Sequence, residues 1–328
     1  MSAACETATA QRREPVQRSY DAHQTGCEIY STPGVAIRDG VAMTFEKADS
    51  TSAVDVTHAF LDGTAIASPT ELDERRTVFA RDGVVLVRGA FDPDQALAMR
   101  QRFWRYVERH SEIREHDPAS WPAGRGSLSM RGLRRDPVFG AFHSGPRIDR
   151  SLDAVFGAGA WTAPGLGSQL LFTFPTPPPW VLPAQTWHID SGFERPSAPV
   201  RTVKLFGLMD DVEPTGGGTL MLAGSPRLVD ACADLLPTGT GGNGETWTRF
   251  MSQHPHLRRL HRGGSVDEPG RELLGSEIDV ASVPVRAVEV TGAAGDVVIA
   301  HLQTFHGIAP NTTPRPRLML GKLVTRTD

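Results

Sequence analysis

From about Trp161 to the end of the chain, short apolar runs alternate with proline and glycine: "SQLLFTF", "TVKLFGLM", "GTLMLAG", "AVEVTGAAGDVVIAH" and "RLMLGKLVTR". Runs of this length are too short for stable helices, and the residues between them are turn formers. The pattern restricts this part of the chain to an all-β sandwich or barrel. One stretch departs from it. Residues 228–282 carry helix-like and Gly-rich sequence ("VDACADLL", "TGTGGNGETWTRFMSQHPHLRRLH"), which reads as an insertion between strands and a candidate lid. No internal repeat is visible.

Upstream, residues 1–67 are polar, an N-terminal arm expected to be partly ordered or disordered. Within it, "GVAIRDGVAMTFE" predicts a short hairpin around Asp39-Gly40. Order is expected from Ser68. In "SPTELDERRTVFARDG", Ser68 reads as N-cap, Pro69 as the first helical residue and Glu71 as the third, with Leu72, Arg76 and Phe79 on one face and Gly83 ending the helix. "VVLVRGAF" follows as a buried strand. "DPDQALAMRQRFWRYVERH" repeats the helix-start chemistry with Asp92, Pro93 and Gln95, and Ala96, Met99, Phe103, Trp104 and Val107 keep helical spacing. "RSLDAVFG" (Arg150–Gly157) predicts one more short helix. The expected plan is therefore a single domain over 68–328. It has a helical N-terminal part at 68–160, a mainly β remainder and the insertion at 228–282.

Bulk chemistry narrows the function. Lys+Arg number 34 and Asp+Glu 38, a net charge of −4, which gives no footprint for nucleic acid or an anionic membrane. Basic clusters at 131–135 and 258–262 read as solvated faces. The three cysteines, Cys5, Cys27 and Cys232, form no CxxC and are odd in number, against a disulfide framework or thiolate metal site. No apolar run is long enough to span a bilayer, and the first residues lack the apolar stretch of a secretory signal. A cytoplasmic protein acting on a small molecule is expected; oligomeric state is open.

"QTWHIDSG" carries the candidate chemistry. On a strand, His188 and Asp190 point to the same face, so an imidazole and a carboxylate can share one cation. The best third donor is His306 in "GDVVIAHLQTFHGIAPNTTPRPRLML", near the end of a strand that Gly295-Asp296 starts. Two His and one carboxylate occupy one face of an octahedron and leave three positions open, the arrangement of non-haem Fe(II) oxygenases. Arg317, eleven residues on at the start of "RLMLGKLV", suits a bidentate grip on the distal carboxylate of 2-oxoglutarate; Arg315 is the alternative.

Taken together, these segments resemble the phytanoyl-CoA dioxygenase family of Fe(II)/2-oxoglutarate-dependent oxygenases. The residues that carry the resemblance are "FARDGVVLVRGAFDP", "TWHID", "LMDDVEPTGGGTLMLAGSPR" and "GDVVIAHLQTFHGIAPNTTPRPR", spread over about 76–326. The resemblance implies a double-stranded β-helix (jelly-roll, cupin-like) core with flanking helices. It also implies His188, Asp190 and His306 as iron ligands, Arg317 as the 2-oxoglutarate clamp, and O2 as the oxidant. Two departures stand out. The family's Pro-Gly-Ser-His after the Gly-rich turn is "AGSPR" here, and 115 residues separate Asp190 from His306. Since Asp190 keeps its carboxylate, no position is vacated for a halide, and hydroxylation is favoured over halogenation.

Secondary candidates are Gln169 and Lys204 on the co-substrate side, and Trp187, Phe193, Met130 and Arg131 as substrate contacts. The face that Lys204 shares with Phe206 is not decided by sequence. His254, His256 and His261 read as part of a polar helix or loop rather than a second metal site. Two other functions fit the residues: a cupin-type metal oxygenase without 2-oxoglutarate, and a non-catalytic jelly-roll binding protein.

Overall fold

The computed structural model describes residues 66–124, 129–192, 195–196, 198–233 and 244–327, the side chains of 244–247 excepted. The Asp39-Gly40 hairpin, Cys5, Cys27 and Phe193 lie outside these residues.

Helix α1 (Leu72–Asp82) begins later than its sequence suggests. Glu71 occupies the N-cap with no side-chain cap bond, so Ser68, Pro69 and Glu71 form no capping box. The buried face is Arg75, Val78, Phe79 and Asp82; of the predicted Leu72, Arg76 and Phe79 only Phe79 lies on it, and Leu72 is exposed. A tertiary bond decides this: the Arg75 guanidinium turns inward and donates to Ser151 Oγ (2.6 Å) and Pro69 O (2.7 Å). Gly83 ends α1 in the left-handed region as expected (φ 70°), and its N–H caps Phe79 O. Helix α2 (Pro93–His110) has the full Asp92/Gln95 capping box, and all five predicted apolar positions are buried. Helix α3 runs Pro146–Phe156, a turn earlier than expected.

The β region forms two antiparallel sheets. The strands are β1 (Val84–Val87), β2 (Gln169–Thr173), β3 (Thr202–Leu208), β4 (Thr219–Ala223), β5 (Glu277–Val280), β6 (Val283–Glu289), β7 (Val297–His301), β8 (Phe305–Ile308) and β9 (Arg317–Thr325). The larger sheet has order β1-β7-β3-β9-β2, the smaller β5-β6-β4-β8. This is the mainly β, jelly-roll architecture with flanking helices. Strands such as "VVLV" and "TLMLA" are buried at every position. They show no polar alternation because both faces of both sheets are covered.

Three apolar cores follow. Outside the larger sheet, Leu205, Ile299 and Leu320 pack against Met99, Phe103, Trp104 and Leu152 of the N-terminal helices. Between the sheets lie Leu86, Phe206, Met221, Val288, Val298 and Met319. Outside the smaller sheet, Leu222, Val285 and Phe305 meet α4 (Ser225–Ala231), α5 (Gly244–Met251) and α6 (Pro255–Arg262) through Leu228, Phe250, Met251, Leu257 and Leu260. Each such side chain contributes about 1.5–3 kcal/mol by leaving water. Helices α4, α5 and α6 thus cover one sheet, and Glu277–Val280 supply its edge strand β5.

Candidate metal centre

Alternation along the strands decides which residues face the inter-sheet space. On β9 the even residues Leu318, Leu320 and Val324 lie in the outer core, so Arg317, Met319, Gly321 and Leu323 point inward. On β3, Val203 and Leu205 are outward, and Lys204 and Phe206 inward. On β2, Leu170 is outward, so Gln169, Leu171 and Thr173 share the inner face. Register places Gln169 opposite Gly321 and Gly321 opposite Phe206, and Leu323 opposite Lys204. The face left open by the sequence is therefore settled in favour of Lys204 and Phe206.

His306 is not at the end of the strand begun by Asp296. That strand, β7, stops at His301, and His306 sits on β8 in the other sheet. His188 and Asp190 are not in a regular strand either. His188 makes one isolated bridge to His306, its N–H donating to His306 O (2.8 Å) and accepting the reverse bond at its own carbonyl (2.9 Å). Asp190 N–H donates to Leu302 O (3.1 Å). Backbone pairing thus brings together residues that sequence separates widely.

The three side chains converge. One donor atom from each of His188, Asp190 and His306 lies within 4.8 Å of the others, the only such cluster among the described residues. The imidazole centroids are 4.3 Å apart. Nδ1 of His188 lies 3.1 Å from Thr186 O and Nδ1 of His306 2.9 Å from Thr304 O. A proton on each Nδ1 leaves the Nε2 lone pairs for a cation. His306 Nε2 is buried without a hydrogen-bond partner, 3.4 Å from Asp190 Oδ2. A buried nitrogen without a hydrogen-bond partner, facing a carboxylate and a second imidazole, is the donor arrangement of a metal ligand, so the residues fit iron.

Electrostatics agree. Burial first, then the neighbouring His188, pushes His306 well below the usual imidazole range, so it stays neutral and able to ligate. Burial alone would raise Asp190, but His306, Lys204 and His188 outweigh it and hold its carboxyl below the usual range. Lys204 Nζ donates to Asp190 Oδ2 at 2.7 Å. The Phe206 ring stands 5.8 Å from His306.

Arg317 is buried at the inner face, its Nε donating to Gly217 O (2.7 Å) and Nη2 to Thr173 Oγ1 (2.7 Å). Arg315 is exposed and paired with Glu213 (3.0 Å), which favours Arg317 as the clamp candidate. The turn that meets Arg317 is held by buried Glu289, which accepts from Thr215 N (2.9 Å) and Gly218 N (3.2 Å). A Cβ on Gly218 would fall 1.9 Å from Val290 O, so only glycine fits there. Burial raises the Glu289 carboxyl to about 7 even though these N–H donors favour its charged form.

Other candidates are placed differently. Trp187 is 1% exposed in the core outside the smaller sheet, and its Nε1 donates to Leu260 O (3.1 Å). It braces the motif from behind and is not a pocket wall. Met130 is buried in the core behind the larger sheet, away from the inner face, and Arg131 is exposed. His254 caps α6 by accepting from His256 N, as ordinary helix chemistry. Sequence missed Thr173, Leu323 and Ser225. The Ser225 hydroxyl donates to Leu222 O (2.6 Å) and accepts from Phe305 N (2.9 Å), tying the "AGSPR" turn to the strand of His306. In that turn Pro226 takes the place of the family's His and packs on Gly83. The serine was the available signal.

The family model "Phytanoyl-CoA dioxygenase (PhyH)" matches residues 79–319. The chain belongs to the phytanoyl-CoA dioxygenase family. As a member it is a non-haem Fe(II)/2-oxoglutarate-dependent dioxygenase, an oxidoreductase using O2. Among relatives of this family member, the ectoine dioxygenase of Bordetella bronchiseptica is 22% identical over 250 residues, 73% of this chain and 70% of that protein. That of Nocardia farcinica is 26% identical over 138 residues, 42% and 38% of the two chains. Similar solved structures include the epimerase SnoN with Fe3+, alpha ketoglutarate and nogalamycin RO (TM-score 0.45, 18% identity, 77% of this chain and 83% of that one). AviO1 from Streptomyces viridochromogenes is another (0.46, 18%, 78% and 96%). No helix among the described residues is long and apolar enough to cross a membrane.

Proposed function

We propose that this dioxygenase hydroxylates an unactivated C–H bond of a small molecule, with His188, Asp190 and His306 holding the iron. The convergence of these three donors around the orphaned His306 Nε2 carries the reading. Iron bound there with 2-oxoglutarate and O2 supplies an oxidant strong enough for such a bond and leaves succinate and CO2. The protein's share is positioning and exclusion of water. Arg317, buried and aimed along the inner face, grips the distal carboxylate of 2-oxoglutarate. Gln169, whose side chain lies over Gly321 on the same inner face, and Lys204 are the further residues offered to the co-substrate. Leu323, 47% exposed on the same inner face, lines the mouth through which substrate arrives. Retention of the Asp190 carboxylate supports hydroxylation over halogenation. The substrate belongs to specialised, natural-product metabolism on this reading, for which the extra segments 1–67 and 228–282 are the sequence support. The test is succinate formation with Fe(II), ascorbate and 2-oxoglutarate across a broad substrate panel, together with the visible charge-transfer band of an anaerobic Fe(II)/2-oxoglutarate titration. Absence of both sinks the reading. Arg317→Leu separates it from 2-oxoglutarate-independent chemistry, which that change would leave untouched.

A further inference from the structure

Lys204 stands where a second cation is least expected. Its strand neighbours Val203 and Leu205 are fully buried on the other face, and its own side chain is 12% exposed. The ammonium lies 5.0 Å from the centroid of the Phe206 ring and 2.7 Å from Asp190 Oδ2. That oxygen is the one turned to His306 Nε2, at 3.4 Å. One carboxylate oxygen therefore serves the ammonium and faces the ring ligand at once. The Asp190 carboxylate and the Lys204 ammonium cancel each other's charge. A divalent cation entering the triad takes the site to +2, with two positive centres sharing one oxygen in a partly buried site, where repulsion is weakly screened. A dianion arriving beside them restores neutrality.

We propose that Lys204 couples the two ligands of this site: it neutralises Asp190 while the triad is empty, opposes a metal ion that enters alone, and turns to the carboxylate of the anionic co-substrate once that ion is in place. The inference rests on the iron-site reading above and gives Lys204 a thermodynamic role as a positioning residue. Coupling between two ligands is reciprocal, so each must tighten the other.

The experiment is anaerobic calorimetric titration with Mn(II), with and without saturating 2-oxoglutarate, on wild type, Lys204→Met, Lys204→Arg and His306→Ala. In wild type, 2-oxoglutarate is expected to tighten Mn(II) binding about tenfold or more. Lys204→Met is expected to bind Mn(II) alone several-fold more tightly than wild type and to lose most of the 2-oxoglutarate effect; Lys204→Arg keeps it. Lys204→Gln replaces the Met variant if that one folds poorly. If Lys204→Met binds Mn(II) alone as wild type does, or more weakly, or keeps the full coupling, the proposal is overturned. The iron-site reading still stands in that case, provided His306→Ala abolishes binding. If wild type binds no Mn(II) under either condition, both fall.

Discussion

The two halves of the metal centre are built by different means. His306 lies in β8, paired with β4 on one side and bridged to His188 on the other, and is 6% exposed. His188 and Asp190 belong to a segment with a single bridge, and they are exposed. Their position comes from bonds to the chain around them. Asp190 is fixed by Leu302 O, Gln185 N–H donates to His261 O (2.9 Å), and Trp187 is bonded to Leu260 O. The sheet holds one half, and α6 braces the other from behind. A metal site of this kind needs only one of its walls to be preformed by the fold.

The largest expected effect divides the halves directly. His306→Ala and His188→Ala should each abolish metal-dependent succinate formation, since two donors hold a cation poorly. Millimolar imidazole should restore Mn(II) binding in part to His188→Ala, whose vacated space is open to solvent, and not to His306→Ala. Equal rescue would break the comparison.

On the sheet side, Glu289 gives a stability test. Its folded value is about 7 against an ordinary 4.5, so the native state holds the proton more tightly than the unfolded chain. Its contribution is fully present below about pH 4.5 and is lost as pH rises through 7, a swing of about 3 kcal/mol at most. Glu289→Gln should flatten the slope of unfolding free energy between those limits, measured by denaturant melts. An unchanged slope places the titration elsewhere.

Arg317→Leu should raise the 2-oxoglutarate KM by about 10–100-fold, the cost of one charge-assisted bond, with Arg317→Lys in between. A KM unchanged in both variants removes Arg317 from the co-substrate site. The smallest effect belongs to the braced half. Trp187→Phe should cost about 1 kcal/mol, lower the melting temperature by about 2–4 °C, and weaken Mn(II) binding. If the melting temperature falls while Mn(II) affinity holds, the brace does not position the ligands.

Sequence reading did well wherever the determinant was local. The α2 capping box needs four consecutive residues, and the apolar stripe of that helix recurs every three or four residues. The ligand types could be named because imidazole, carboxylate and guanidinium are chemically distinctive. What failed depended on distant partners. The buried face of α1 is turned because Arg75 finds Ser151 on another helix. Sequence leaves Trp187 open between pocket wall and core because its partner, Leu260 O, lies 73 positions away. The strand break before His306 was invisible because "LQT" contains no glycine or proline, and the chain crosses there from one sheet to the other.

Gly321 interrupts the inward file of β9, between Met319 and Leu323. A Cβ there would stand 3.2 Å from Gln169 Oε1 and 3.4 Å from both Gln169 Cβ and Leu171 Cδ1. Those neighbours are side chains, and yielding by a few tenths of an ångström leaves the backbone ladder alone. The position is a dial on the inner face of the sheet: stepping from glycine to alanine to valine fills the space opposite Phe206 in small increments. The same ligand set can then be refitted to smaller guests without redesigning the wall that carries it.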